Sequence, residues 1–111
     1  SFNYKIYSEV YDEIIRGNKT IEIRLLNEKS DKIKNGDEIT FSVLDSDKTL
    51  TVEVIEKYIF ENIDELFKNK YVVKNSLMNY TNDETKDLLY NIFGKEKVDN
   101  SKIVGIEFRL K

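Results

Sequence analysis

Gly17-Asn18-Lys19-Thr20-Ile21-Glu22-Ile23-Arg24 joins a short amphipathic helix to an alternating strand. Upstream, Val10, Tyr11, Ile14 and Ile15 recur at helical spacing. Ser8 suits the N-cap, Glu9 the positive first turn, and Gly17 the C′ position that ends the helix. Downstream, Ile21, Ile23 and Leu25 share one strand face while Thr20, Glu22 and Arg24 share the other. If the sheet curls around the isoleucines, the polar trio faces outward under whatever packs there, with Lys19 just before it. In a cleft of that kind Lys19 and Arg24 suit a phosphate, and Glu22 suits a base edge or a cation. The same spacing also suits local ion pairs between Glu22 and Lys19 or Arg24, which contribute little at a surface.

Working outward, Phe2–Tyr7 alternates as a first strand with Phe2, Tyr4 and Ile6 on one face. Residues 27–34 are polar and read as a loop with one helical turn, and Asn35-Gly36-Asp37 reads as a turn. Glu38–Val43 alternates with Ile39, Phe41 and Val43 inward, and Asp45–Lys48 connects it to a long strand over Leu50–Phe60. The apolar parity of that strand switches after Val54, which predicts a bulge near Val54–Glu56. Asn62 caps a short helix bearing Ile63, Leu66 and Phe67. Residues 70–80 are ambiguous, because Tyr71, Val72 and Val73 favour strand while Leu77 and Met78 fit a helix. Thr81-Asn82-Asp83-Glu84 is a capping box opening a helix to Phe93, with Leu88, Leu89, Ile92 and Phe93 as its buried face and Gly94 as its end. Residues 95–101 read as a polar loop. Ile103–Leu110 closes the chain as a strand, with Val104, Ile106, Phe108 and Leu110 on one face and Gly105 allowing close approach on the other. Five strands broken by short helices make an α+β domain with a curled sheet, one domain over residues 1–111.

Composition narrows the chemistry. The chain has neither Cys nor His, so thiolate nucleophiles, disulfides, histidine triads and the usual zinc ligands are excluded. Cysteine-free composition makes a cytoplasmic setting the default, no apolar run is long enough to span a bilayer, and a monomer is the default state. A net charge of −3 argues against broad salt-driven nucleic-acid binding and requires any such binding to be local. The seven tyrosines are candidate stacking platforms for bases, though the covering of a barrel edge explains most of them as well. Asp83, Glu84 and Asp87 gather at one helix start, where capping and the helix dipole explain them better than a cation does. No cofactor or metal is expected.

Gly17, Lys19, Glu22 and Arg24 match the G-x-K-x-x-E-x-R signature of ASCH domains, and the sequence resembles that family. Asn27-Glu28-Lys29, Lys34-Asn35-Gly36-Asp37 and Val104–Phe108 resemble its connector, its turn and its closing strand. The resemblance implies a PUA-like small curled β-barrel of five to six strands with peripheral short helices. It also implies a cleft, lined by the signature residues, that binds RNA or a nucleotide-like ligand. In it Gly17 would make the turn, Lys19 and Arg24 would touch phosphate or base, Glu22 would give polar recognition, and Thr20 lies alongside. Some bacterial ASCH-like proteins are amidohydrolases of acetylated cytidine, using a lysine at the Lys19 position, a threonine at the Glu22 position and a glutamate that aligns with Met78 here. Only the lysine is kept, and the covalent step then has no obvious nucleophile. A Lys19–Glu22 acid–base pair that cleaves RNA is the remaining catalytic alternative.

Overall fold

A computed structural model describes residues 1–77 and 79–111. Its elements are β1 (Phe2–Ile6), α1 (Ser8–Ile15), β2 (Ile21–Leu25), α2 (Glu28–Asp31), β3 (Glu38–Val43), β4 (Thr49–Phe60), α3 (Ile63–Phe67), α4 (Lys70–Ser76), α5 (Asn82–Phe93), α6 (Lys95–Asp99) and β5 (Ile103–Leu110). The strands form one mixed sheet in the order β1-β3-β4-β5-β2. Only the β1–β3 pair is parallel. The fold is α+β: a five-stranded sheet curled into a half-barrel, with six short helices among the described residues.

The first two strands of the chain therefore lie at opposite edges of the sheet. Curling brings these edges toward each other, and side chains bridge the remaining seam. Arg24 Nη2 of β2 donates to the Lys5 carbonyl of β1 at 2.9 Å, and Lys29, in α2 just beyond, donates to the Asn3 carbonyl of β1. Edge carbonyls that would otherwise be unpaired are thus satisfied by cationic side chains.

Two apolar clusters hold the sheet. Tyr4, Ile6, Ile39, Phe41, Val52, Val54, Val104, Ile106 and Phe108 fill its concave side around Ile14 of α1, where the Phe41 and Phe108 rings meet edge-on at 5.4 Å. Ile21, Leu25 and Ile103 on the convex side pack against Ile63, Leu66, Val72, Leu89 and Val98 of the helices. This reverses the expected sense of β2. In the antiparallel register Glu22 lies opposite Ile106 and Arg24 opposite Val104, both concave-side residues, whereas Ile23 lies opposite Gly105. The isoleucines of β2 face the outer helices and the charged pair faces the barrel side at its open seam. Strand alternation separates two faces but does not say which is inside when both are covered.

Several local expectations hold. The β4 register shifts between Val54 and Glu56, Gly36 takes φ = 91°, and Thr81 and Glu84 form a reciprocal capping box. A Cβ on Gly105 would sit 3.3 Å from Ile21 Cγ2 and 3.4 Å from Val72 Cγ1, the close approach its position implies.

Others are corrected. Helix α1 begins at Ser8 itself, with Tyr7 at the N-cap and no side-chain cap. Residues 70–76, ambiguous between strand and helix in the sequence, are helical: Asn69 caps the Val72 amide, and burial of Val72 and Ser76, four residues apart, outweighs the strand propensity of the valines. Residues 95–99 form α6, nucleated by burial of Val98. Leu88 and Ile92 of α5 are substantially exposed, as is Leu110.

Candidate functional site

The turn after α1 sets the site. Gly17 takes φ = 81°, a left-handed value that glycine adopts without strain, and donates its N–H to the Ile14 carbonyl at 3.0 Å. The amides of Asn18 and Lys19 then both donate to the Glu13 carbonyl. This reversal carries Lys19 back beneath the start of β2. Thr20 donates its N–H to the Asn75 carbonyl at 2.9 Å, docking the end of α4 on the strand.

Lys19 Nζ donates to the Ile21 carbonyl at 2.7 Å and to the Ser76 carbonyl at 2.9 Å. It lies 3.2 Å from Glu22 Oε1. An ammonium has three donors, and these three contacts use them all. Glu22 Oε2 accepts from Arg24 Nε at 2.9 Å and Nη2 at 2.6 Å. The Arg24 guanidinium lies over the Tyr4 ring, 4.3 Å from its centroid. Its Nη1 has no hydrogen-bond partner among the described residues, and the side chain is partly exposed. Lys19 and Glu22 are only 5% and 7% exposed. The ion pairs raised as the alternative to a site are therefore present, but in a buried network and not at the surface.

Burial alone would raise the Glu22 carboxyl, but the charges and hydrogen bonds of Lys19 and Arg24 outweigh it and hold the group below its ordinary range. Burial pulls the Lys19 ammonium down, and Glu22 counters that only in part. Tyr4 is raised, chiefly by burial, and its hydroxyl is buried without a partner among the described residues. Lys29 Nζ sits over the same ring at 4.0 Å.

Above the network lies a cavity of about 270 Å³ between β1, β2 and α5. Lys19, Glu22 and Arg24 form its polar side; Leu77, Leu88, Ile92 and Phe93 form an apolar wall; Tyr7, Leu44 and Tyr80 stand at its mouth. Leu88 and Ile92 are exposed because the α5 face turns toward this opening and not into the core. Of the expected site residues, the structure brings Lys19, Glu22 and Arg24 together. Gly17 is exposed and shapes the turn, and Thr20 supports α4; neither lines the cavity. Met78, aligned with the hydrolase glutamate, lies outside the described residues.

Sequence reasoning missed Lys5, Ser76 and Thr85 in the lining and the second cation over Tyr4. Lys29 stood in the recognised Asn27-Glu28-Lys29 connector, so its position, though not its partner ring, was signalled. The tyrosines divide: Tyr7 and Tyr80 border the cavity, whereas Tyr58 and Tyr71 donate to the two oxygens of buried Glu107 on the convex face. That hydrogen bond, with burial and the carboxylate charge, pushes Tyr58 up to about 12. Among the described residues no group of three or more acidic side chains is placed to hold a metal ion, and no helix is long and apolar enough to cross a membrane.

The family profile of the ASCH domain matches residues 5–99. The chain belongs to the ASCH domain family. Its fold is similar to that of the hypothetical protein PH0355, at TM-score 0.82 and 26% identity, over 99% of this chain and 98% of that one. It is also similar to protein PF0455 from Pyrococcus furiosus, at TM-score 0.73 and 24% identity, over 98% and 96% of the two chains. An ASCH domain from Lactobacillus crispatus aligns at TM-score 0.67 and 15% identity, over 99% of this chain and 79% of that one. A search of the curated proteins finds no match. The α+β half-barrel of this ASCH protein is thus the PUA-like architecture that its signature implied.

Proposed function

We propose that this ASCH domain, acting as one unit over residues 1–111, binds RNA or a nucleotide-like ligand by taking a base into the cleft beside Arg24. The reading is carried by the state of Arg24. Glu22 and the Lys5 carbonyl fix its guanidinium, the Tyr4 ring supports its face, and Nη1 remains available at the cavity wall. A preorganised guanidinium beside apolar walls suits the carbonyl edge of a planar base, which gains from aromatic and aliphatic contact on its faces. The family, generally thought to bind RNA, supports the same reading.

Binding fits the geometry better than the catalytic alternative. A lysine that donates three hydrogen bonds is an ammonium without a lone pair, so Lys19 is poorly placed as a base. Glu22 is anchored through both oxygens and held ionised. Lys19 and Glu22 therefore act as positioning residues for Arg24. Titrating labelled single-stranded RNA into wild type and Arg24→Ala, with parallel incubation against acetylated cytidine and RNA, tests this. Loss of binding in an Arg24→Ala protein that stays folded by circular dichroism, with a lowered melting temperature because Glu22 and the Lys5 carbonyl lose a partner, and without turnover by either protein, is the expected result. Equal binding by both proteins, or turnover that Lys19→Ala abolishes, would overturn it.

A further inference from the structure

We infer that RNA reaches the cleft from one side only, with its phosphates along the β1–β2 seam on Lys5, Arg24 and Lys29, so that the cleft takes the terminal nucleotide of a strand and not an internal one. The inference rests on the RNA-binding reading above and adds the path of the strand.

The seam holds cations without matching carboxylates. Lys19, Arg24 and Lys29 are served by Glu22 alone. Arg24 and Lys29 crowd onto one tyrosine ring, at 4.3 and 4.0 Å from its centroid. Lys29 has no acidic partner among the described residues, and neither has Lys5, which is exposed and borders the cleft. Two positive charges held this close repel unless an anion lies nearby. A phosphate oxygen set at the seam would accept from the Lys5 and Lys29 ammoniums, with the Arg24 charge beside them. In a chain whose net charge is −3, this concentration is local and one-sided.

The opposite flank is acidic. Helix α1 carries Glu9, Asp12 and Glu13 and no basic residue between its ends. One depression on that flank shares Tyr80 with the cleft and is lined by Glu9, Asp12, Glu13 and Glu84. Another shares Tyr7 and Leu44 with it and includes Asp45. Of the two cations there, Arg16 pairs with Glu13 at 3.1 Å, and Lys48, over the Tyr11 ring at 5.4 Å, stands against Glu9, Asp12 and Asp45 in the same depression. A phosphodiester chain crossing the mouth from the seam to α1 would run into like charge. The cavity of about 270 Å³ also lies near the lower bound of roughly 300 Å³ for ligand pockets, room for one base and not a run of them.

The experiment compares a linear single-stranded RNA with a covalently closed circle of the same sequence, over a range of salt. The linear form should bind at least tenfold more tightly. Lys29→Ala, at an exposed position, should weaken linear binding and reduce the slope of log K against log salt by about 0.7, one single-strand phosphate contact. Glu9→Lys/Asp12→Lys, which removes the acidic flank, should raise binding of the circle. Equal affinity for line and circle, or an unchanged salt slope in Lys29→Ala, overturns the one-sided path while leaving the binding reading intact. If neither RNA binds, the binding reading fails and this inference with it.

Discussion

Replacing Glu22 by Gln keeps the shape of the buried network and removes its one negative charge. Lys19 Nζ and Glu22 Oε1 are 3.2 Å apart. At an effective dielectric constant of about 20 their gross attraction is about 5 kcal/mol, before desolvation is counted. The glutamine carbonyl can still accept from Lys19, but its amide then presents donors to Arg24 Nε and Nη2, which lose their acceptor. Arg24 regains water through its partly exposed tip; Lys19 cannot, being only 5% exposed. Removing one member of a buried pair costs about 3–5 kcal/mol, a large share of the roughly 5–15 kcal/mol that a domain possesses. Urea unfolding of Glu22→Gln should show that loss as a lower midpoint with an unchanged m-value. Lys19→Met/Glu22→Gln should recover part of it, since the unpaired buried cation is gone, although the Ile21 and Ser76 carbonyls then lack their donor. A Glu22→Gln protein within about 1 kcal/mol of wild type would refute the reasoning: Glu22 would then be a hydrated surface carboxylate.

The same group predicts an acid limb. The folded value of Glu22 is depressed, so its stabilisation is complete above the ordinary carboxylate value of 4.5 and is lost as pH falls through the lower folded value; urea midpoints against pH should fall less steeply in acid for Glu22→Gln than for wild type. Tyr58→Phe removes a donor from buried Glu107 and should cost about 1–3 kcal/mol by denaturant unfolding. It should also remove, from an ultraviolet pH titration of the folded protein, the tyrosine pushed up to about 12. Gly105→Ala would press a methyl against Ile21 and Val72 and should cost about 1–3 kcal/mol by strain, read as a lower urea midpoint.

Much of this fold is legible in the sequence because local rules act alone there. Gly17 and Gly36 stand where the chain needs positive φ, the Thr81–Glu84 capping box opens α5, and the parity switch after Val54 marks the β4 bulge. Propensity gives way wherever packing decides. Residues 70–76 read both ways, as Tyr71, Val72 and Val73 prefer strand while Leu77 and Met78 fit a helix, and packing decides for the helix by burying Val72 and Ser76, Val72 against Gly105. The bulge was placed correctly, but what it serves was not visible: Tyr58 and Phe60 turn to the convex cluster, while Ile55 and Ile59 stay exposed.

The sense of β2 shows why the site was only half legible. Its spacing set Glu22 and Arg24 apart from the isoleucines, as the register has them, with Lys19 just before the strand, and no periodicity could say which set faces the barrel. Sheet order decides that. Because β1 and β2 are the two edges, the barrel side of β2 meets no strand beyond it, and charged groups can occupy an inward face without entering the core. Arg24 closes the seam through the Lys5 carbonyl and also lines the cleft, so under the proposed function one residue serves both closure and recognition. Substituting it should therefore separate two readouts: a loss of binding, and a faster hydrogen exchange confined to the amides of β1 and β2. Loss of binding without that change at the edges would show that the seam is held by Lys29 and packing instead, and that Arg24 serves the ligand alone.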